Sequence, residues 1–212
     1  MSSSRFPTTG SCAGAPWEAM EGDITETPTR AASEPRSFGT AEVVAKVTGA
    51  AFGKPLINNV LRGQVAEAIV ALALEPEWNW CSADYASWDF DRPDGVRLEV
   101  KQSAYRQSWH TGAGVKVSPG FDVKARKQLW DGTAYVNSNR RAADIYVLAY
   151  HGRNDDSADH RDPLQWEFFV LPSAVIPPVA RIALGSVRRL ANSISIAELS
   201  EKVREIADKT TR

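Results

Sequence analysis

A run of six apolar residues, Ile145 to Tyr150, limits the fold more than any other stretch of the chain. A strand with one face in water alternates apolar and polar side chains, whereas a central strand covered on both faces is apolar throughout. His151-Gly152 ends the run after a length typical of a strand. We therefore expect a buried central strand, with other secondary structure packed on both faces of its sheet.

Helical and strand patterns flank this run in an order that is typical of an α/β fold. Apolar residues recur at spacings of three and four along residues 60–74, behind Asn58 or Asn59 as N-cap. Ser195 and Glu198 form a capping box before a last helix that reaches about Asp208. Shorter patterns predict a helix at 41–48 behind Thr40, a hairpin of strands at 88–91 and 96–101, a strand at 166–171, and an edge strand or loop at 181–191. This order predicts a three-layer α/β/α fold with a mixed central sheet of four to five strands.

Composition bounds the domain and its surroundings. Residues 1–38 are rich in Ser, Thr, Pro, Gly and Ala without any period, which predicts a disordered or loosely attached tail before a single domain at 39–212. The formal net charge is -1, so a nucleic-acid interface would have to be a local basic patch. The two cysteines lack metal-ligand spacing, and Cys12 falls in the tail. With no run of about 18 apolar residues and no apolar secretory signal, we expect a cytoplasmic protein without a membrane partner.

The hairpin strand at 96–101 carries the charges from which chemistry is expected. It alternates three apolar residues with three charged ones, so Glu99 and Lys101 point to the same face. Pro93-Asp94-Gly95 forms the turn that leads into the strand and brings a second carboxylate. One or two carboxylates with substrate phosphate oxygens suit Mg²⁺, and the Val100 carbonyl would be a further ligand. Lys101 would orient a water molecule or stabilise charge in the transition state.

The same residues resemble the PD-(D/E)xK nucleases, the restriction-endonuclease-like superfamily. Pro93-Asp94, a four-residue spacer and Glu99-Val100-Lys101 carry the resemblance, and Gln102 follows as in many members. The similarity extends over roughly residues 40–172, and the segment from Phe121 to the strand at Trp166 also resembles uncharacterised bacterial members. It implies a restriction-endonuclease-like core and Mg²⁺ as cofactor, with Mn²⁺ as a substitute. It further implies that Asp94, Glu99 and Val100 hold the ion, that Lys101 activates water and that Gln102 helps to orient the site.

Glu67 is the only acid in the helix at 60–74, and Ala66 and Ala68 flank it. A carboxylate in so apolar a helix needs an arginine, a metal or water at the helix edge as its partner. In PD-(D/E)xK nucleases a helix before the core strands contributes a glutamate to the metal site, so the resemblance implies that Glu67 is a ligand, directly or through water. The alternative is that Glu67 simply faces water. Asp91, which also lies near the turn, is the alternative to Asp94.

Basic residues that follow the hairpin are candidates for the local basic patch that nucleic-acid binding would require. They lie among interleaved aromatic residues such as Trp109 and before strand-like segments. The candidate phosphate contacts are Arg106, Lys116, Lys124, Arg126, Lys127 and Arg140. For each of them a solvated basic loop is the competing interpretation. The partner we expect is nucleic acid, DNA in particular, and a homodimer is a further expectation.

Three hypotheses about function follow from these residues. The first is a Mg²⁺-dependent nuclease that hydrolyses DNA phosphodiester bonds with Glu67, Asp94, Glu99, Lys101 and Gln102. The second is a catalytically inactive nucleic-acid-binding or assembly module with the same fold, favoured by the weak overall basicity. The third is an unrelated α/β protein in which Glu99 and Lys101 form a surface ion pair of little energetic value.

Overall fold

Helices and strands follow one another broadly as predicted, although several strands are very short. The structure, a computed structural model, describes residues 37–81, 86–110, 117–130 and 134–210. Its helices are α1 (Thr40–Phe52), α2 (Asn59–Leu74), α3 (Leu184–Leu190) and α4 (Ile196–Thr210). Its strands are β1 (Asn79–Trp80), β2 (Phe90–Asp91), β3 (Arg97–Ala104), β4 (Gly120–Asp122), β5 (Arg126–Trp130), β6 (Tyr135–Arg140), β7 (Ile145–His151), β8 (Trp166–Pro172) and β9 (Arg181–Ala183). Gly39–Arg212 forms one compact unit, and the predicted tail falls almost wholly outside the described residues.

A five-stranded sheet with the order β1-β2-β3-β7-β8 forms the centre of this unit. β3 and β7 run parallel, and the other neighbours are antiparallel, so the sheet is mixed. All seven residues of β7 are buried, as the apolar run indicated. The predicted α/β fold with a mixed sheet of four to five strands is therefore confirmed.

Each face of the sheet is covered by a different layer. α2 and α4 pack on one face, where Val70, Leu199 and Val203 meet Val100 and Val147. On the other face, α3 and the two-stranded sheet of β4 and β9 pack on Tyr146 and Leu148. The three predicted layers are present, with the short helix sharing its layer with β-structure.

The helix caps explain where the helices begin. The Asn58 side chain accepts hydrogen bonds from the N–H groups of Val60 and Leu61, at 3.1 and 3.0 Å, so Asn58 is the N-cap of α2. The Ser195 hydroxyl donates to Glu198 at 2.7 Å, which confirms the capping box of α4. α1 differs from the prediction because Gly39, not Thr40, is its N-cap, and the helix continues to Phe52.

Two segments fold differently from their sequence patterns. The region 181–191, predicted as an edge strand or loop, is the short strand β9 followed directly by α3. β5 and β6, which no pattern predicted, pair as a separate antiparallel hairpin. Within the described ranges, no helix is long and apolar enough to cross a bilayer.

The shortness of β2 is what opens the sheet near the charged strand. β2 pairs with β3 at only two positions, Phe90 with Leu98 and Asp91 with Arg97. The connecting turn closes with a hydrogen bond from Gly95 N–H to Arg92 O at 2.9 Å, and Gly95 has a φ of 90°, which favours glycine. Beyond Leu98, the described residues provide no strand partner for this edge of β3.

Candidate active site

Asp89 replaces the missing strand partner at the open edge of β3. Its N–H donates to the Leu98 carbonyl at 3.0 Å, and its carboxylate accepts the Val100 N–H at 2.7 Å. The side chain therefore continues the hydrogen bonding where β2 no longer does. Since the N–H and C=O of an extended residue point to the same side of the strand, the Val100 carbonyl also faces this edge.

Glu99 and Lys101 lie on the face of β3 that is turned away from α2. The lysine ammonium group forms an ion pair with the Glu99 carboxylate, and 15% of the Glu99 side chain and 26% of the Lys101 side chain are exposed. Across the parallel pair, Glu99 is level with Tyr146 of β7. The prediction that Glu99 and Lys101 share one face is thus correct, and the pair is largely buried rather than a surface ion pair.

Glu67 reaches the same place from the middle of α2. The Trp80 indole N–H donates to the Glu67 carboxylate at 3.3 Å, so β1 helps to fix that side chain. An open cavity of about 1010 Å³ is lined by Glu67, Asp89, Glu99 and Lys101 together. The helix acid therefore meets the acids of the hairpin, and the alternative that it simply faces water does not hold.

The carboxylates in this cavity are held in an unfavourable electrostatic environment. Burial and the neighbouring Asp89 charge raise the pKa of Glu67 to about 7, although the Trp80 hydrogen bond lowers it. Burial also raises the pKa of Glu99 to about 7, against the lowering effect of Lys101. The pKa of Asp89 is likewise raised by burial. Three acids that repel one another in a partly dry site are typical of a place that receives a cation.

Lys101 keeps its proton in this environment. Burial, the largest single influence, lowers its pKa, but the negative charges of Glu99 and Asp89 together outweigh burial and leave the pKa above the ordinary value. The ammonium group is therefore positively charged at neutral pH. In this state it can stabilise negative charge or donate a proton, and it cannot act as a base.

The structure does not bring Asp94 into the site. Asp94 lies in the turn before β3, where Arg92 Nε and Nη2 donate to its two oxygens at 3.0 and 2.6 Å. The described lining of the cavity does not include it. The reason is geometric, because a strand rises about 3.3 Å per residue and the turn therefore lies roughly 10 Å or more from Glu99. Asp94 therefore does not lie with Glu67, Glu99 and Lys101 in this cavity, whereas Asp89 does.

Gln102 and Asp91 are also placed elsewhere. Gln102 points to the α2 side of the sheet, where its side-chain oxygen accepts Arg62 Nε–H at 2.7 Å and its amide donates to the Asn59 carbonyl at 3.2 Å. Successive residues of a strand face opposite sides, so Gln102 cannot share the face of Lys101. Asp91, the alternative to Asp94, accepts a hydrogen bond from Asn79 at 3.1 Å on the strand pair β1–β2.

The predicted basic contacts separate into two groups. Arg106 forms an ion pair with Asp156 at 3.1 Å and its side chain is only 18% exposed, so it is poorly placed to contact a ligand. Lys116 lies outside the described residues. Lys124, Arg126, Lys127 and Arg140 are exposed. Arg126 lines the cavity, and its charge lowers the pKa of Glu99.

The donor atoms of the site fit a hard divalent cation. Mg²⁺ in proteins takes one or two carboxylates and keeps several water ligands, and Asp89, Glu99 and the Val100 carbonyl offer oxygen donors of this type. In the part of the chain that the structure describes, no three acidic, histidine or cysteine side chains form a ready-made metal cluster. Glu67 therefore fits better as a residue that acts through water than as a third direct ligand.

Asp89 and Trp80 are the residues that the sequence patterns failed to identify. The hairpin register contained a signal for Asp89, because pairing across the turn at 92–95 sets Asp91 against Arg97 and Phe90 against Leu98. Continuing that register places Asp89 opposite Glu99. No comparable signal pointed to Trp80, whose contact with Glu67 depends on how α2 packs beside β1.

Comparison with known proteins gives matches among solved structures alone. No family model matches the chain, and no curated protein matches it either. A bacterial homing endonuclease, I-Ssp6803I, aligns with a TM-score of 0.38 and 18% identity over 71% of this chain and 94% of its own. Similarity at this level establishes neither a family nor an activity, so the resemblance to PD-(D/E)xK nucleases stays a prediction and function must be argued from the side chains.

Proposed function

We propose that the protein is a metal-dependent nuclease that hydrolyses DNA phosphodiester bonds, with Asp89 in the role that the sequence motif gave to Asp94. The observation that supports this most is the meeting of Glu67, Asp89, Glu99 and Lys101 in one open cavity at a strand edge. Three acids with a protonated lysine suit the binding of a cation beside a phosphate group.

Each residue has a defined part in this proposal. Asp89 and Glu99, with the Val100 carbonyl, would hold a Mg²⁺ ion, for which Mn²⁺ would substitute, and Glu67 would bind one of its waters. The ion would supply Lewis acidity and favour a hydroxide nucleophile at neutral pH. Lys101 stabilises the negative charge that develops on the phosphate oxygens. With its pKa near 7, Glu67 is suited to accept a proton from water at neutral pH.

DNA is proposed as the substrate because cations border the acids. Arg126 lines the cavity itself, and the exposed Lys124 lies with Arg126 beside Glu99 and Lys101 in an adjoining recess. A chain with a net charge of -1 has no general attraction for nucleic acid, so a local group of this kind is required. In-line attack by water would leave a 5′-phosphate and a 3′-hydroxyl, as the resemblance implies.

The second candidate function is a catalytically inactive nucleic-acid-binding or assembly module. The ion pair between Lys101 and Glu99 favours it, because Glu99 is already neutralised without a metal. The two candidates differ in metal affinity. A nuclease binds Mn²⁺ through Asp89 and Glu99, whereas an inactive module does not.

The test uses two aspartates that differ by five positions in the chain. We expect Asp89→Asn to lower Mg²⁺-dependent cleavage of plasmid and linear DNA by about 100-fold or more, since one oxygen ligand loses its charge. Asp94→Asn is the matched control and should stay within about threefold of wild type, because Asp94 does not line the cavity and its ion pair with Arg92 is partly exposed. Lys101→Ala should also lose activity.

Calorimetric titration with Mn²⁺ separates the two candidates. Wild type and Asp94→Asn should bind the ion, and Asp89→Asn should bind it at least about tenfold more weakly. If wild type neither binds Mn²⁺ nor cleaves DNA, the inactive module is the better description. If Asp94→Asn abolishes Mn²⁺ binding and DNA cleavage while Asp89→Asn retains both, the choice of Asp89 instead of Asp94 as the ligand is wrong.

A further inference from the structure

The hairpin of β5 and β6 has an unusual amount of exposed surface. Of the side chains described on the two strands, none is buried and only Ser138 is partly buried. A two-stranded hairpin on its own is at best marginally stable in water. We call β5 and β6 together the ribbon.

The ribbon holds two like charges directly opposite each other. Arg126 and Arg140 are cross-strand partners, as are Gln128 and Asn137 one step further along, with a register shift between them. Like charges at opposed positions destabilise a strand pair, unless an anion lies between them. The Arg126 ion pair with Asp122, at 3.5 Å with both side chains 57% exposed, is too weakly held to remove this repulsion. A phosphate group bound between the two arginines would remove it.

Amide side chains lie beside the two arginines. Gln128 is two residues from Arg126 on the same strand, so both point to the same face, and its amide donates to Asn137 at 3.4 Å. Neither strand contains an acidic residue. Arginine contacts phosphate or guanine, and the amides of Gln and Asn pair with adenine. This face of the ribbon therefore combines groups for backbone contact and for base recognition.

The ribbon also adjoins the proposed active site. Arg126 and Gln128 line the cavity that holds Glu67, Asp89 and Glu99. A nucleic acid that lies on this face of the ribbon would run directly past the carboxylates. The two functions, recognition and hydrolysis, would then act on neighbouring positions of one ligand.

We propose that the ribbon enters the major groove of a DNA duplex, where Arg126 and Arg140 share a backbone phosphate while Gln128 and Asn137 read base edges. The major groove of B-form DNA is about 12 Å wide and admits a two-stranded ribbon. The deep, narrow major groove of an RNA duplex does not. This proposal rests on the proposed function for its substrate, and it adds that cleavage is directed by sequence.

The first experiment measures binding alone. All proteins carry Asp89→Asn so that no cleavage occurs, and the probes are a DNA duplex of about 30 base pairs, an RNA duplex and a single-stranded DNA of the same length. Adding Arg126→Gln and Arg140→Gln should weaken binding to the DNA duplex by about 10-fold or more. The slope of log K against log salt should fall by about 1 to 2, as expected for one or two lost phosphate contacts.

The matched control removes the same charge elsewhere. Arg153→Gln with Arg189→Gln changes two exposed arginines outside the ribbon and should keep both the affinity and the salt slope. Equal losses in the control and the ribbon double variant would overturn the proposal, because net charge alone would then explain binding. Tighter binding to the RNA duplex or to the single strand than to the DNA duplex would also overturn it.

The second experiment measures sequence preference by selecting duplexes from a randomised pool. Asn137→Ala should change the selected sequence at one or two neighbouring positions with the salt slope unchanged, since an amide lost from a base edge costs specificity rather than phosphate contact. An identical selected sequence for the Asp89→Asn protein with and without Asn137→Ala would contradict base reading. Failure of the nuclease proposal is a separate result: wild type would then bind the duplex through the ribbon and leave it uncut.

Discussion

Asp89 both completes the hydrogen bonding at the open edge of the sheet and brings a carboxylate into the cavity. Its carboxylate accepts the Val100 N–H at 2.7 Å, which would otherwise be left without a strand partner. That bond also holds the acid beside Glu67 and Glu99, whose pKa values are both raised to about 7. The burial of these acids is therefore electrostatically costly, as functional sites often are.

The raised pKa of Glu67 predicts a pH-dependent gain in stability when its charge is removed. The folded protein holds the Glu67 proton up to pH about 7, whereas the unfolded chain releases it near 4.5. The contribution of this group is thus fully present below 4.5 and is lost as the pH rises through 7. Glu67→Gln should match wild type near pH 4.5 and be more stable by about 1 kcal/mol at pH 8, after allowance for solvent screening.

Urea unfolding of both proteins across this pH range measures the difference. Glu201→Gln, on the exposed face of α4, is the matched control and should show no such pH-dependent gain. Cleavage by Glu67→Gln should fall although its stability rises, which is the signature of a residue that serves function at the expense of stability. A variant that is less stable than wild type at pH 8 would mean that the burial of Glu67 costs little.

At the scale of elements, α2 and β3 are joined by a polar contact on the face opposite the site. Arg62 is 1% exposed, and its guanidinium group donates to Gln102 at 2.7 Å and to Asn59 at 2.7 Å. Burial lowers the pKa of Arg62 to about 10. Its Nη1 atom has no hydrogen-bond partner among the described residues, so the contact leaves a buried cation only partly satisfied.

This contact predicts that Gln102 matters for stability and not for the chemical step. Gln102→Ala removes an acceptor from a buried charge and should lower the free energy of unfolding by about 2 kcal/mol. Gln102→Glu supplies a carboxylate to Arg62 and should lower the free energy of unfolding by less. At a temperature where both variants are folded, single-turnover cleavage should stay within about threefold of wild type. A loss of about 100-fold or more without a loss of stability would restore Gln102 to the active site.

The elements that could be predicted are those whose signal is local. The apolar run of β7 and the helix caps Asn58 and Ser195 can be recognised from residues that are close together in sequence, and the structure confirms them. Glu67 could be identified because it was the only acid in an apolar helix. The motif pointed to Asp94, with Asp91 as the alternative, because a motif counts residues along the chain. Which acids share a cavity depends instead on which residues lie opposite each other across a turn, and this brings Asp89 beside Glu99.

The other differences between the sequence predictions and the structure also arise where a local pattern is not informative. The ribbon went unpredicted because its strands do not alternate apolar and polar residues, as strands that pack on a core do. Arg106 was predicted to contact nucleic acid because it lies among aromatic residues. In the structure its side chain forms an ion pair with Asp156, fifty positions later in the chain. Contacts between residues so distant in sequence depend on the packed fold, which no local pattern encodes.

At the scale of the whole molecule, two buried histidines connect segments that are far apart in sequence. His160 Nδ1 accepts the Ile57 N–H at 3.0 Å, and Nε2 lies 3.1 Å from the Arg106 carbonyl, so Nε2 carries the proton. His151 packs edge-on against His160, with ring centroids 4.8 Å apart. Ile57 precedes α2 and Arg106 follows β3, so this contact ties together the two elements that carry Glu67 and Lys101.

Protonation of His160 breaks that connection, because a second ring N–H would then face the Ile57 N–H. Burial, followed by the charges of Arg62 and His151, lowers the pKa of His160 to about 4, against an ordinary value of 6.5. The unfolded chain therefore binds more protons between these values, and the stability contribution is present above 6.5 and lost as the pH falls through 4. We expect the free energy of unfolding to fall by about 2 kcal/mol across this window.

His160→Asn separates this effect from the acids of the active site, whose contribution has the opposite sign over an overlapping range. A Glu67→Gln background removes one of these acids, and Glu99 and Asp89 remain in both proteins, so the difference between the profiles with and without His160→Asn isolates the histidine effect. Adding His160→Asn should lower stability at pH 7 and flatten the profile between 6.5 and 4. An unchanged slope in His160→Asn would place the acid sensitivity elsewhere in the molecule.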